Sequence, residues 1–148
     1  MKVGLVGTGN VGWALASLLV GNPGIDRVLI SGRSHERSAG LVMDICSATP
    51  NARDKVLVAN LNQLGDCDIL IVTSGAQMKA GETAADVRAA NLEITRTIFS
   101  ELQLNPSTIV IALATPVDDI TVYAQLLTNL PTAQVFGFGG DLDRNRLE

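Results

Sequence analysis

Three glycines near the start of the chain have a spacing that suits the binding of phosphate groups. Gly7, Gly9 and Gly12 follow the apolar run Lys2–Val6 in the pattern G-x-G-x-x-G, and a helical pattern begins at once. The first glycine permits a tight turn out of a strand, and the second lets a pyrophosphate approach the backbone. The third lets the helix pack closely on the strand. The spacing therefore predicts a dinucleotide site.

The helix after this turn would direct its free N–H groups and its positive dipole end at the phosphates. The alternative is a strand-to-helix turn that binds no ligand. The cofactor contacts predicted in the turn are Gly7, Gly9, Asn10, Val11 and Gly12.

The end of the second apolar run lacks the acidic residue that usually selects NAD. Such an acid lies about twenty residues after the glycines and bonds the ribose 2′-hydroxyl. Here Gly32, Arg33 and Ser34 occupy that point, while Asp26 and Glu36 lie before and after it. Arginine and serine would donate to a 2′-phosphate that a carboxylate would repel. These residues favour NADP over NAD as the cofactor, unless Ser34 only caps a helix and Arg33 is solvated.

The composition excludes several other classes of protein. The chain has 148 residues, of which 47% are apolar, and a net charge of −4 without a basic block, so nucleic acid is not an expected partner. Cys46 and Cys67 form no C-x-x-C pair, and the lone His35 has no evident set of metal ligands. No apolar stretch reaches the length of a membrane span. We expect a cytoplasmic protein with no metal and no membrane partner.

Strand and helix patterns alternate along the chain. The predicted strands are Lys2–Val6, Arg27–Ser31, Val56–Ala59, Ile69–Thr73, Thr108–Ala112 and Val135–Phe138. Helical patterns follow most of them, and one helix is predicted to begin at Pro116. This predicts an α/β fold in a single domain, a doubly wound Rossmann sheet of six parallel strands in the order 3-2-1-4-5-6. Its ligand would lie at the carboxyl ends of the strands, where the order reverses.

Further motifs appear in a consistent order. They are Gly40-Leu-Val-Met-Asp44-Ile, Thr73-Ser-Gly75-Ala76, Lys79-x-Gly81-Glu82-Thr83, Asn91, Thr115-Pro116-Val117-Asp118 and Gly137-Phe-Gly139-Gly-Asp141-Leu142-Asp143-x-x-Arg146. Together with the glycine turn, they resemble the NAD-binding domain of the lactate/malate dehydrogenases. The resemblance extends over essentially the whole chain.

The resemblance implies an oxidoreductase that transfers a hydride between a nicotinamide cofactor and a small 2-hydroxy or 2-oxo acid. It also implies a second domain that carries the catalytic histidine, and a homodimer or higher homo-oligomer. We expect residues 1–148 to be the dinucleotide-binding domain of a longer enzyme, inactive without the second domain.

The resemblance also implies roles for individual residues. Two residues near the end of the chain match catalytic positions: Asp143 would orient the histidine, and Arg146 would bind the substrate carboxylate. An i,i+3 surface pair is the alternative for these two. Met78 matches the position that selects the substrate. Further cofactor contacts would come from Thr73, Gly75, Asn91 and Thr115.

Three positions depart from the family pattern. Met78 stands where lactate enzymes have Gln and malate enzymes have Arg, which favours an apolar 2-oxo acid. Ala84 replaces an arginine that polarises the substrate carbonyl, and Arg88 is the nearest substitute. Thr115 replaces an asparagine that bonds cofactor and substrate, and it could instead cap a helix.

The departures at Ala84 and Thr115 favour an alternative function, that of a non-catalytic dinucleotide-binding or regulatory module. The presence or absence of a suitably placed histidine further along the parent protein would separate the two. Asn91 has an alternative too, as a polar residue on a solvated helix face. A methyltransferase with a similar sheet is disfavoured by the six-strand pattern and the glycine spacing.

Overall fold

The computed structural model describes residues 1–50 and 52–139, in which strands and helices alternate. The strands are β1 (Lys2–Val6), β2 (Arg27–Ser31), β3 (Val56–Val58), β4 (Ile69–Val72), β5 (Ile109–Ala112) and β6 (Val135–Gly137). The helices are α1 (Asn10–Gly21), α2 (His35–Ala48), α3 (Ala84–Ser100) and α4 (Val117–Thr128). Short 3-10 turns lie at Leu61–Leu64 and Thr132–Gln134.

In this described part of the chain, the strands form one six-stranded parallel sheet in the order β3-β2-β1-β4-β5-β6. The predicted α/β fold, a single-domain Rossmann sheet, is confirmed. The order reverses beside β1, where Leu5 lies opposite Ile30 on one side and Ile71 on the other. A ligand crevice is expected outside the carboxyl ends of the strands at such a reversal.

Alternate residues of the central strands face two separate apolar cores. Leu70 and Val72 of β4 pack in a cluster with Ile98 of α3 and Ala124 of α4. The intervening Ile71 belongs to a second cluster, which holds the buried side chains of α1 and α2. Because helices cover both faces, β4 reads as an unbroken apolar run. Because β4 is packed from both sides, the position of the loop that follows its carboxyl end is fixed.

Several element boundaries differ from the predicted ones by a single residue. Ala59, Thr73 and Phe138 lie just beyond β3, β4 and β6, yet their N–H groups still donate to the neighbouring strand at 2.9, 2.8 and 2.9 Å. Thr108 precedes β5. Pro116 was predicted to be the first residue of a helix, but its ψ of 125° is extended, so it caps α4 instead. None of these differences moves the edge of the sheet where the loops meet.

Candidate dinucleotide-binding site

The glycine turn between β1 and α1 is held by the end of β4. Gly7 has a φ of +121°, which residues with side chains rarely adopt, and its N–H donates to the carbonyl of Ser31 at 2.8 Å. A Cβ on Gly7 would collide with the hydroxyl oxygen of Thr73, and a Cβ on Gly12 would collide with the carbonyl of Gly7. The Thr73 hydroxyl donates to the carbonyl of Val6 at 3.2 Å. The fold itself therefore requires these two glycines.

Gly9 lies in open space. A Cβ built on it would have no heavy atom within 4 Å, and its φ of −79° suits any residue. Gly9 caps the N-terminus of α1 without a side-chain hydrogen bond, and the next two residues, Asn10 and Val11, are exposed. The first N–H groups of a helix have no partner within the helix and carry partial positive charge. An anion could therefore approach α1 over Gly9.

The end of β2 lies directly beside the glycine turn. A Cβ on Gly32 would come within 2.8 Å of the Thr8 methyl carbon and 3.0 Å of the Ser38 hydroxyl oxygen. The space left by the missing side chain is thus filled by protein atoms. The absence of a side chain on Gly32 lets the end of β2 pack against the glycine turn. Sequence reasoning did not single out Thr8, because only the folded chain brings its side chain against Gly32.

Ser34 and Arg33 follow Gly32 at the start of α2. The Ser34 hydroxyl accepts a hydrogen bond from the N–H of Arg37 at 3.3 Å, so it caps the helix as the alternative interpretation held. A capping hydroxyl uses only an acceptor site and keeps its proton for a ligand. Arg33 and Arg37 are exposed and form no ion pair within residues 1–50 and 52–139. This end of β2 therefore presents cationic and hydroxyl donors to solvent.

The loop after β4 approaches the loop after β5. A Cβ on Gly75 would lie 3.3 Å from the Ala114 side chain, a tight contact, and 3.4 Å from Oδ1 of Asn91, an ordinary van der Waals contact. Thr115 is exposed at the end of the β5 loop. The α4 cap is the following residue, Pro116, which has no side-chain cap bond, so a capping role for Thr115 is wrong. Its hydroxyl lies at the carboxyl edge of the sheet.

Asn91 is 1% exposed and bonds to both of these loops. Its Oδ1 accepts from the N–H of Ala76 at 2.5 Å. Its Nδ2 donates to the carbonyls of Thr115 and Ala76 at 2.6 and 3.3 Å. The alternative of a solvated helix face is therefore wrong, because the side chain is enclosed between the loops.

The segment between β4 and α3 carries the predicted substrate-selecting residue. Met78 is 59% exposed. The loop then turns through Gly81, whose φ is +88°, with the N–H of Lys79 donating to a Glu82 carboxylate oxygen at 2.9 Å. Thr83 and the third residue after it, Asp86, form the predicted capping box of α3. These hydrogen bonds hold the loop at its α3 end, while the Met78 side chain in the middle of the loop is exposed to solvent.

Arg88 is paired with α4. Its Nε donates to Oδ2 of Asp119 at 2.5 Å, and this hydrogen bond lowers the pKa of the Asp119 carboxyl below its usual range. Arg88 was the candidate to replace the arginine missing at Ala84, but the pairing holds its guanidinium on α4. Sequence reasoning missed Asp119, since nothing in the pattern predicts which side chains of α3 and α4 meet. The two predicted catalytic residues, Asp143 and Arg146, lie outside the described residues.

The fold and this edge of the sheet define a class of protein. A parallel sheet of this order, with a glycine turn entering α1 beside the reversal of strand order, is a Rossmann domain of the dinucleotide-binding type. A model of the NAD binding domain of lactate/malate dehydrogenase matches residues 1–137. The chain therefore belongs to the lactate/malate dehydrogenase family, as the NAD-binding domain of such an oxidoreductase.

Individual relatives agree with this assignment. The chain is 33% identical over 150 residues to an L-lactate dehydrogenase of a Synechococcus strain, covering 99% of this chain and 48% of that protein. It is 29% identical to a malate dehydrogenase of Aliarcobacter butzleri, covering 98% and 48%. The malate dehydrogenase of Archaeoglobus fulgidus, solved with NADH, superposes with a TM-score of 0.88 at 28% identity, covering 99% and 51%. The chain thus spans about half the length of the relatives it matches.

None of the helices within residues 1–50 and 52–139 is both long and apolar enough to cross a membrane. The same residues contain no cluster of three or more His, Cys, Asp or Glu side chains placed to hold a metal ion.

Proposed function

We propose that this chain binds a nicotinamide dinucleotide as the cofactor half of a dehydrogenase acting on 2-hydroxy and 2-oxo acids. The observation that carries the proposal is the open N-terminus of α1 at Gly9, beside the reversal of strand order. The cofactor carries the hydride in such enzymes, while the protein binds and orients it. The NADH bound to the A. fulgidus malate dehydrogenase supports the same use of this fold.

The proposed cofactor contacts keep the predicted set except for Asn91, and they are divided by position along the carboxyl edge. The glycine turn would hold the pyrophosphate, and the end of β2 would hold the adenosine ribose. The loops after β4 and β5 would flank the cofactor on the other side of β1. The contacts on that side are Thr73, Gly75 and Thr115, with Asn91 behind them.

Within this proposal, NADP is the preferred form of the cofactor. Arg33 is exposed, and Ser34 keeps a free hydroxyl proton after capping α2. Both stand at the N-terminus of α2, whose dipole also favours a phosphate. Glu36 in the first turn opposes this, but it is exposed to solvent. A 2′-phosphate on the ribose would gain charge-assisted hydrogen bonds that a plain hydroxyl cannot provide.

A fluorescence titration with NADPH and NADH tests the proposal. Trp13, the only tryptophan, is half exposed in the first turns of α1, so its quenching should report binding. We expect NADPH to bind about tenfold more tightly, and Arg33→Ala to abolish the difference. Arg27→Ala is the matched control, because Arg27 is equally exposed but lies at the amino end of β2.

The outcomes separate the two parts of the proposal. Equal affinities, or tighter binding of NADH, would overturn the NADP preference and leave the dinucleotide site standing. If neither cofactor binds at millimolar concentration, the dinucleotide site itself is wrong. An equal loss of NADPH affinity in Arg27→Ala would show that the effect is one of net charge.

The substrate side of the proposal rests on Met78. Its exposed thioether side chain lies in the loop that follows β4 and carries no charge. It could contact an apolar 2-oxo acid but could not pair with a second carboxylate. We therefore propose a monocarboxylic substrate, held in the complete enzyme with the help of Arg146 and Asp143.

A non-catalytic dinucleotide-binding module is the second candidate function. The observation that favours it is the Arg88–Asp119 pair. Because Arg88 is bound to Asp119, no arginine of the described residues is shown to replace the one that is missing at Ala84. The titration leaves this candidate open, whereas steady-state turnover by the parent protein would exclude it. The homo-oligomer and the cytoplasmic location stay predictions.

A further inference from the structure

Asn91 lies where two loops of the proposed site come closest to each other. It is on α3, the helix that runs behind the loop after β4, and its side chain reaches the backbone at Ala76 and at Thr115. Ala76 follows β4, and Thr115 follows β5. The amide thus spans the two loops that meet at the carboxyl ends of neighbouring strands.

The hydrogen bonds of this amide are all directed at backbone. An asparagine side chain has two N–H donors and one carbonyl oxygen. Here the donors point to the carbonyls of Thr115 and Ala76, and the oxygen accepts from the N–H of Ala76. No N–H of Asn91 is left for a ligand, and its 1% exposure leaves no room for one to reach it.

We infer that Asn91 is a positioning residue, which sets the distance between the loops after β4 and β5 without touching the cofactor. The inference rests on the proposed function, because these two loops flank the proposed cofactor site on one side of β1. Gly75 contributes from the loop side, since its missing side chain lets the backbone come within contact of the amide. A change in the position of the loop after β5 would therefore alter how strongly the loop after β4 binds the cofactor, and the reverse.

The inference can be tested with variants that change the donors and keep the shape. Asn91→Asp retains an oxygen for the Ala76 N–H but places a second oxygen against the two carbonyls, which repel it. Asn91→Ala removes the bridge altogether. We expect both to speed amide hydrogen exchange at residues 75–78 and 113–117 of the ligand-free chain. Both variants should weaken the binding of NADPH and of NADH by the same factor, about tenfold.

A matched control separates positioning from simple loss of stability. Thr108 is fully buried, and its hydroxyl donates to the carbonyl of Cys67 at 2.8 Å, at the amino end of β5. Thr108→Val should lower the melting temperature without changing exchange at the two loops or the cofactor affinity. If Asn91→Ala and Thr108→Val instead behave alike in exchange and affinity, Asn91 is merely structural and the inference is overturned.

The pH dependence of Asn91→Asp gives a second readout. A buried carboxyl facing two carbonyl oxygens is expected to have a raised pKa, and its protonated form can donate to one of them. Affinity should therefore recover as pH falls, while Asn91→Ala shows no such recovery. An Asn91→Asp profile parallel to that of Asn91→Ala would contradict the inference.

The outcomes distinguish this inference from the proposed function. Failure of the wild-type chain to bind either dinucleotide would overturn the proposed function, yet loop exchange in the ligand-free chain would still test the bridge. Should the Asn91 variants fail to fold, Gly75→Ala adds a methyl group 3.3 Å from the Ala114 side chain and 3.4 Å from Oδ1 of Asn91, and so strains the contact between the two loops. It should speed exchange at residues 113–117, and unchanged exchange there would overturn the inference.

Discussion

At the scale of single residues, the glycines of the first turn serve different purposes. Gly7 and Gly12 are required by the fold, because a side chain at either position would meet backbone or hydroxyl atoms. Gly9 faces open space, so only a bound ligand would need it to be glycine. The motif therefore combines a requirement of folding with a requirement of binding, and mutation can separate them.

We predict that Gly9→Ala folds but binds NADPH at least about tenfold more weakly, because its methyl group lies where a pyrophosphate would approach. Its cost to stability should stay within about 1 kcal/mol, the usual cost of alanine at a helix cap. Gly12→Ala should cost about 1–3 kcal/mol through overpacking against Gly7. Calorimetry and the same titration check both, and unchanged affinity in Gly9→Ala would refute the prediction.

The hydroxyl residues illustrate what the sequence could reveal at this scale. Ser34 and Thr73 were both predicted to contact the cofactor, and both lie at the carboxyl edge of the sheet. Ser34 also caps α2, and Thr73 also supports the glycine turn. The sequence pattern locates such residues, but the partner of a hydroxyl depends on which backbone groups the fold brings within about 3 Å.

At the scale of elements, α3 and α4 are joined through the Arg88–Asp119 pair at their exposed N-terminal turns. The hydrogen bond from Arg88 lowers the pKa of Asp119. A carboxyl whose pKa is lowered by folding contributes stability above its unfolded pKa and loses it as pH falls through the folded pKa. The pair should therefore stabilise the helix contact at pH values above the usual aspartate pKa of about 4 and lose this effect at lower pH.

We predict that Asp119→Asn lowers the melting temperature by a few degrees at most at pH 7, because both partners are exposed to solvent. The difference from wild type should shrink once pH falls below the usual aspartate pKa of about 4, and it should vanish below the lowered pKa of Asp119 in the folded chain. Asp118→Asn is the control, since Asp118 is in the same helix turn and forms no ion pair within the described residues. A difference that persists at low pH would mean that the effect is not one of charge.

At the scale of the whole molecule, the single histidine lies away from the loops that are proposed to flank the cofactor. His35, the single histidine, is the exposed first residue of α2 and stands on the β2 side of the sheet. The loops after β4 and β5 lie on the other side of β1. His35 is therefore not placed to donate a proton to a substrate held beside these loops.

We predict that this chain alone binds NADPH but does not oxidise it in the presence of pyruvate or oxaloacetate. Absorbance at the reduced nicotinamide band would check this, with the malate dehydrogenase of A. fulgidus, which was solved with NADH, as a positive control. Measurable turnover would contradict the prediction. His35→Ala would then decide whether the chain's own histidine is responsible.

The sequence by itself determined the fold, because the spacing of apolar residues and the helix signals are local features. They show which segments form strands or helices and which of their residues are buried. It also located the glycine turn, because the spacing of these glycines is set by the local backbone geometry of the turn. The tertiary structure alone decided that Asn91 bridges two loops, that Arg88 pairs with Asp119, and that Thr8 fills the space beside Gly32. These contacts join residues far apart in the chain, and their partners depend on how individual side chains pack between helices and loops, which no local pattern encodes.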